Sequence, residues 1–174
     1  MADEKFRIDP AEESDWDWIA QGQAEVVWVR LGPECQEEVS REVIDRSIAW
    51  QLERMREDKG FHNKAFVAKT DDGTPAGFVL VAKTHNDATG QLEASLLSQY
   101  VAEPYRGQGL GHRLMEAAED WARQQDLPRI SLSVGVRNTL GQKLYESLGY
   151  QVETLRMSKK LSERETIALP LANV

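Results

Sequence analysis

Residues 105–115 read YRGQGLGHRLM, with glycine at the alternate positions 107, 109 and 111 running directly into a helical pattern. Each glycine costs on the order of 1 kcal/mol of helix stability relative to alanine, and a helix that needed only a start would use a Ser or Asp cap. Something requires that backbone to be bare. In a strand-to-helix turn, glycines let amide N–H groups face outward and let a ligand approach within contact distance, and the helix N-terminus adds its positive dipole end. The stretch therefore has the makings of an anion cradle. It lacks the Gly-Lys-Ser/Thr ending of a Walker A loop and does not open a first strand-helix-strand unit with an acidic residue about twenty positions on, as a dinucleotide fingerprint does. Taken alone, the hexapeptide is equally consistent with a tight turn that binds nothing.

Just upstream of the glycines, residues 91–101, QLEASLLSQYV, change parity within one strand. Leu92, Ala94 and Leu96 share one parity along the chain, while Leu97, Gln99 and Val101 share the other. An extra residue that flips the side chains after it is a β-bulge, so the spacing predicts a strand that bends just before the glycines. Downstream, Leu110, Leu114, Ala117, Ala118 and Trp121 define the buried face of a helix ending near Gln125. PRISLSVGV (128–136) then alternates as a strand, completing a strand-helix-strand crossover. A further helix in NTLGQKLYESLGY (138–150) carries Leu140, Leu144 and Leu148 in register and stops at Gly149, a left-handed cap.

Towards the N-terminus, Phe6–Asp9 reads as a short strand, and Ser14 followed by Asp17 resembles a capping box for a helix through about Trp28. Pro33 breaks that helix. A second runs from Gln36 to Glu57 with Val39, Val43, Ile44, Ile48, Leu52 and Met55 at three-and-four spacing. Trp16, Trp18, Trp28 and Trp50 fall in these helices, either anchoring them to a sheet or lining an exposed pocket. KAFVAKTDDGTPAGFVLVAK (64–83) is a hairpin around Asp72-Gly73. From Tyr150 the chain returns to a strand reaching Lys160, and TIALPLA (166–172) adds another.

The 174 residues are 41% hydrophobic and 29% charged, the composition of one soluble domain spanning 1–174. No stretch approaches the roughly 18 apolar residues of a membrane span, and MADEKFRIDP is charged where a signal peptide is apolar, so the expected location is cytoplasmic. The lone Cys35 reads as an incidental small residue, and His62, His85 and His112 lie at no metal-binding spacing. The net charge of −8 argues against nucleic-acid or anionic-membrane partners. Nearly all of the excess lies between Glu12 and Glu57, with twelve acidic and five basic residues, against five acidic and six basic between Val101 and Tyr145. Acidic helices beside a binding site would favour a cationic ligand; solvation of their outer faces explains the same charges.

Two motifs taken together resemble the GNAT superfamily of N-acetyltransferases. Arg106-x-x-Gly109-x-Gly111 matches its Q/R-x-x-G-x-G/A acyl-CoA pyrophosphate loop, preceded by a strand ending Tyr100-Val101. RNTLGQKLYESLGY (137–150) fits its N-x-x-A-x-x-L-Y-x-x-x-G-F signature, with Gly141 for the common alanine and Tyr150 for the common phenylalanine. The specific resemblance covers residues 92–150. It implies an α+β fold with a mixed, mostly antiparallel central sheet, a bulged strand and helices on both faces. It also implies acetyl-CoA as cosubstrate, no metal, an amine as acceptor, and room for a homodimer.

Residue by residue, the resemblance assigns Arg106, Gly107, Gln108, Gly109, Leu110 and Gly111 to the pyrophosphate. Val101 and Asn138 go to the pantetheine arm, and Tyr145 becomes the acid that protonates the leaving thiolate. Helical geometry supports the last role independently: Tyr145 lies about 100° round from Leu144, off the leucine stripe, and a phenol of pKa near ~10 stays protonated at neutral pH. Members of the family often carry a glutamate on the bulged strand as base, whereas SLLSQYV has none. Glu93 is the nearest candidate, beside a route through backbone and water. An acyl-CoA-binding sensor without turnover is the alternative from another class, and a nucleotide-binding protein is disfavoured by the missing Walker lysine.

Overall fold

A computed structural model describes residues 5–57 and 63–159. Five strands, β1 (Phe6–Pro10), β2 (Asn63–Thr70), β3 (Pro75–His85), β4 (Leu92–Val101) and β5 (Ile130–Leu132), form one sheet in the order of the chain. All neighbours are antiparallel except β4 and β5, which are parallel. The helices are α1 (Trp16–Arg30), α2 (Pro33–Glu38), α3 (Arg41–Glu57), α4 (Leu110–Gln124) and α5 (Thr139–Ser147). The fold is thus the mixed α+β architecture expected, with helices on both faces.

Alternation along β3 builds the two faces. Val79 and Val81 point one way and pack with Leu110, Leu114, Met115 and Ala118 of α4. Phe78 and Leu80 point the other way and pack with Ile19 of α1 and Ile44, Ile48 and Leu52 of α3. β3 is buried on both sides, as a central strand beneath two helical layers must be. Each fully buried aliphatic or aromatic side chain contributes about 1.5–3 kcal/mol.

The bulge lies within β4. Leu80 pairs with Ser98 and Val81 with Leu96, leaving Leu97 as the extra residue. Leu96, and then Val101, both pack on the α4 face. Leu97 does not share their face: it lines a cavity of about 300 Å³ with Val26 and Val27 of α1 and Ile44 and Ile48 of α3. The parity reading therefore located the irregularity but put Leu97 on the wrong side. β5 pairs β4 only from Ala94 to Leu96, so beyond the bulge the outer edge of β4 has no strand neighbour among the described residues.

Several local expectations are corrected. The capping box is formed by Glu12 and Asp15, ahead of Ser14 and Asp17, and opens a 3₁₀ turn at Glu13–Asp15 that leads into α1. Pro33 begins α2 rather than merely ending α1, because a residue without an N–H fits the first turn of a helix. The helix expected over Gln36–Glu57 is two helices, broken where Val39 is extended (φ −126°, ψ 122°). The carbonyl of Ser40 accepts the first N–H groups of α3, a break suited to a β-branched residue followed by a capping serine. Leu140 holds the leucine spacing yet is 78% exposed. Residues 151–159 form no strand and are exposed. The strand expected in 166–172 lies outside the described residues.

Candidate functional site

The glycine turn comes after a 3₁₀ turn, Glu103–Tyr105, that carries the chain off the end of β4. Gly107 and Gly109 have φ of 72° and 77°, the left-handed region that L side chains rarely adopt. A Cβ at either would meet nothing within 4 Å, so the turn faces open space. Gly109 is the N-cap of α4, and the first turn of that helix contains no acidic residue, which leaves its amides and dipole uncompensated. Gly111 has a different reason to be glycine, because a Cβ there would lie 3.2 Å from Cδ2 of Leu144 on α5. Two glycines shape a cradle and the third lets two helices approach.

Around the cradle, Nε of Arg106 donates to the Val101 carbonyl (3.0 Å), folding the guanidinium back onto the strand end. Gln108 donates to the Pro104 carbonyl (3.0 Å) and accepts from Lys5 (2.7 Å). Lys5 is a second cation at the cradle, invisible to local sequence reasoning because it stands about a hundred residues away along the chain. Leu110 is buried in the core beneath.

Asn138 is the N-cap of α5, its Oδ1 accepting from Gly141 N–H at 2.9 Å. A Cβ at Gly141 would stand 2.6 Å from Asn138 Nδ2, so a larger residue there would make that amide shift. Tyr145 lies seven residues further along α5, about 10 Å away, half-buried with its ring edge-on to Tyr150. Its hydroxyl donates to Oε1 of Gln99 (3.2 Å), and Nε2 of Gln99 donates to the Gly111 carbonyl (2.6 Å). Burial pushes the Tyr145 phenol above the ordinary tyrosine value and so keeps it protonated. The hydroxyl of Tyr150 donates to Glu119 of α4 (3.1 Å), which accounts for a tyrosine where phenylalanine is common. Glu93 is 6% exposed. Its carboxylate accepts from Asn86 and Ser131 and lies 3.5 Å from Arg129. It is a fastening between β5 and the β3–β4 loop, and it precedes the bulge by four residues of strand, roughly 13 Å.

On the opposite face of β4, a cavity of about 520 Å³ is lined by Trp18, Gln21, Gly22 and Glu25 of α1, Arg41 and Asp45 of α3, and Tyr100. Gly22 admits the rings of Phe78 and Tyr100, which would come within 3 Å of a Cβ. Trp18 both anchors α1, edge-on to those rings, and lines the cavity. Arg41 reaches Glu25 (2.8 Å) and Asp45 (3.2 Å), leaving the trio with a net charge of −1. No cluster of three or more His, Cys, Asp or Glu suited to a metal occurs among the described residues, and no helix among them is long and apolar enough to cross a membrane.

The family model of the Acetyltransferase (GNAT) family matches residues 15–150. An uncharacterized N-acetyltransferase, YycN, of Bacillus subtilis (strain 168) is 38% identical over 71 residues, 41% of this chain and 46% of that one. An aminoglycoside N(6')-acetyltransferase type 1 of Serratia marcescens is 32% identical over 99 residues, 55% of this chain and 67% of that one. The chain thus spans about half the length of the first relative and two thirds of the second. A putative acetyl transferase from Pyrococcus furiosus has the same fold, with a TM-score of 0.77 at 24% identity over 90% of this chain and 99% of that one. So does AAC(6')-Iy, whose structure is in complex with the bisubstrate analog CoA-S-monomethyl-acetylneamine, with a TM-score of 0.66 at 19% identity over the same shares.

Proposed function

The chain belongs to the GNAT acetyltransferase family, and on that basis we propose that it transfers an acetyl group from acetyl-CoA to a primary amine by direct attack in a ternary complex. The observation that carries this reading is one juxtaposition. The edge of β4 beyond its bulge, which has no strand neighbour among the described residues, opens between a glycine cradle and a protonated phenol. The cradle suits a pyrophosphate because positive-φ glycines leave open the space that a side chain would fill, at a helix start free of acids. AAC(6')-Iy with its CoA-containing analog supports the same choice of cosubstrate.

When bound, acetyl-CoA supplies an activated acetyl thioester. Amides of 106–111 hold its diphosphate, the strand edge at Val101 and the amide of Asn138 hold the arm, and a backbone N–H at the bulge faces the charge that develops on the carbonyl oxygen. Tyr145 keeps a proton for the departing sulfur. Val101 and Asn138 both exchange existing partners in this reading, since Arg106 occupies the one carbonyl and the Asn138 oxygen caps α5. With Glu93 fully engaged, the ammonium proton leaves through backbone and water. Ser98 at the bulge, whose buried hydroxyl has no protein partner, supports a water in that region.

The acceptor in this reading is a cationic amine seated in the cavity between α1, α3 and Tyr100, where Glu25 and Asp45 outnumber Arg41. The Serratia relative is an aminoglycoside acetyltransferase, which is consistent with an amine of this kind. The missing carboxylate between Ala94 and Val101 favours a second reading, an acyl-CoA sensor without turnover. Release of free CoA thiol with a panel of polyamines, aminoglycosides and peptide N-termini separates them. Turnover with one amine establishes the transferase, tight acetyl-CoA binding without thiol release establishes the sensor, and failure to bind acetyl-CoA overturns both.

A further inference from the structure

Gln99 belongs to neither recognised motif, yet its side chain joins them. The bulge turns it to the α4 side of the sheet, where its neighbours on the same face, Leu96 and Val101, are apolar and packed in the core. An amide among them needs partners. It has two: the carbonyl of Gly111, the last glycine of the turn, at 2.6 Å, and the hydroxyl of Tyr145 at 3.2 Å. The first bond decides the sense of the second. Because the Gly111 carbonyl can only accept, the amide must turn its nitrogen there and its oxygen towards Tyr145. An oxygen facing a phenol favours the protonated form and repels the phenolate, whereas a flipped amide would do the reverse.

We propose that Gln99 is a positioning residue that holds the Tyr145 hydroxyl at the opening of β4 in its proton-bearing form, with its own orientation set by the turn through Gly111. The inference rests on the reading of Tyr145 as the acid. When the phenol gives its proton to the departing sulfur, the S–H bond forms as the O–H bond breaks. The phenolate then faces the Gln99 oxygen and recovers a proton from water, so the amide drives reprotonation and ends each cycle as it began. A merely structural Gln99 would satisfy the Gly111 carbonyl and do nothing to the titration of Tyr145.

The two roles separate in Gln99→Met and Gln99→Glu, each made alone and together with Tyr145→Phe. Methionine keeps the length and removes both bonds. It should lower kcat about tenfold, leave KM for acetyl-CoA within about twofold, and move the alkaline limb of the kcat profile to lower pH. Glutamate keeps an acceptor and adds negative charge, so the limb should move to higher pH. Both effects should vanish in the Tyr145→Phe background. Equal losses in the two variants with an unmoved limb, or losses undiminished beside Tyr145→Phe, overturn the proposal. Tyrosinate absorbance, taken as the difference from Tyr145→Phe, supplies the same opposite shifts without turnover. If those shifts appear while Tyr145→Phe retains wild-type kcat, the hold of Gln99 on the phenol stands and the acid role of Tyr145 is what fails. If they do not appear, Gln99 is structural whatever Tyr145 does.

Discussion

Among single residues, Gly109 makes two demands that one substitution would confuse. Its left-handed φ penalises any β-branched residue, by about 1–2 kcal/mol, and the space beyond its Cα is open. Asparagine tolerates that backbone and still projects a side chain into the cradle. Gly109→Asn should therefore fold with near wild-type stability and lose at least about tenfold in acetyl-CoA affinity by calorimetry, ~1.4 kcal/mol, while Gly109→Val should lose affinity and melt earlier. Tyr145→Phe removes one hydroxyl bonded to Gln99. It should lower kcat by about 10² to 10⁴ with acetyl-CoA binding nearly intact, and wild-type turnover would return the residue to plain packing. The left-handed turn at Gly109 was legible because a glycine spacing is a local signal, whereas the offset of Tyr145 from a leucine stripe misdescribed its surroundings: Leu140 is exposed and Tyr145 itself packs against the core. Gln99 was not legible, since its meaning depends on partners 12 and 46 residues away. Gly141 and Tyr150 departed from the family pattern for reasons that only the packed neighbours supply: the folded-over amide of Asn138 and the carboxylate of Glu119.

Between elements, the entrance to α1 is pinned to β2 by Asp15, 4% exposed, and Lys69, whose Nζ lies 2.8 Å from it. Asp15 also accepts the Glu12 N–H within the capping box, so removing Lys69 strands a buried carboxylate that must stay where it is. Lys69→Met should cost about 3 kcal/mol. The hydrogen bond to Asp15 holds the Lys69 ammonium above the ordinary lysine value of 10.5. A cation with a raised folded-state pKa contributes its stabilisation fully below the unfolded value and loses it as pH climbs through the folded one. The difference in Tm between wild type and Lys69→Met should accordingly be constant from neutrality to about pH 10 and narrow above it; a constant difference throughout would remove Lys69 from the account. The bulge was readable from parity because an extra residue must flip every later side chain of its strand, even though Leu97 itself fell on the other face. The break at Val39 and Ser40 was not, since the apolar spacing continues across it undisturbed.

For the molecule as a whole, acidic charge is segregated from the half that carries the glycine turn, with net −7 from Glu12 to Glu57 and two of those carboxylates, Glu25 and Asp45, lining the larger cavity. If this field gathers cationic acceptors, kcat/KM for a polyamine should fall steeply as salt brings the Debye length to about 8 Å. Glu25→Gln with Asp45→Asn should then raise KM for that amine more than for a neutral one; equal changes would leave the acids as solvating surface. The layered sheet was legible from alternation and helical spacing, whereas residues 151–159, expected to continue as a strand after Tyr150, form none. The margin of β4 beyond Leu96, without a strand neighbour among the described residues, bears on the lifetime of the protein as much as on its chemistry. Uncovered strand margins are where one chain adheres to another, and an arm lying along this one would act as a guard. Solutions kept with CoA at about a hundredfold over Kd should gain ~2.7 kcal/mol and stay clear by light scattering where ligand-free protein clouds. If the proposed cosubstrate lies there, a cell depleted of it would lose the protein together with its substrate, and supply and abundance would be coupled through one strip of backbone.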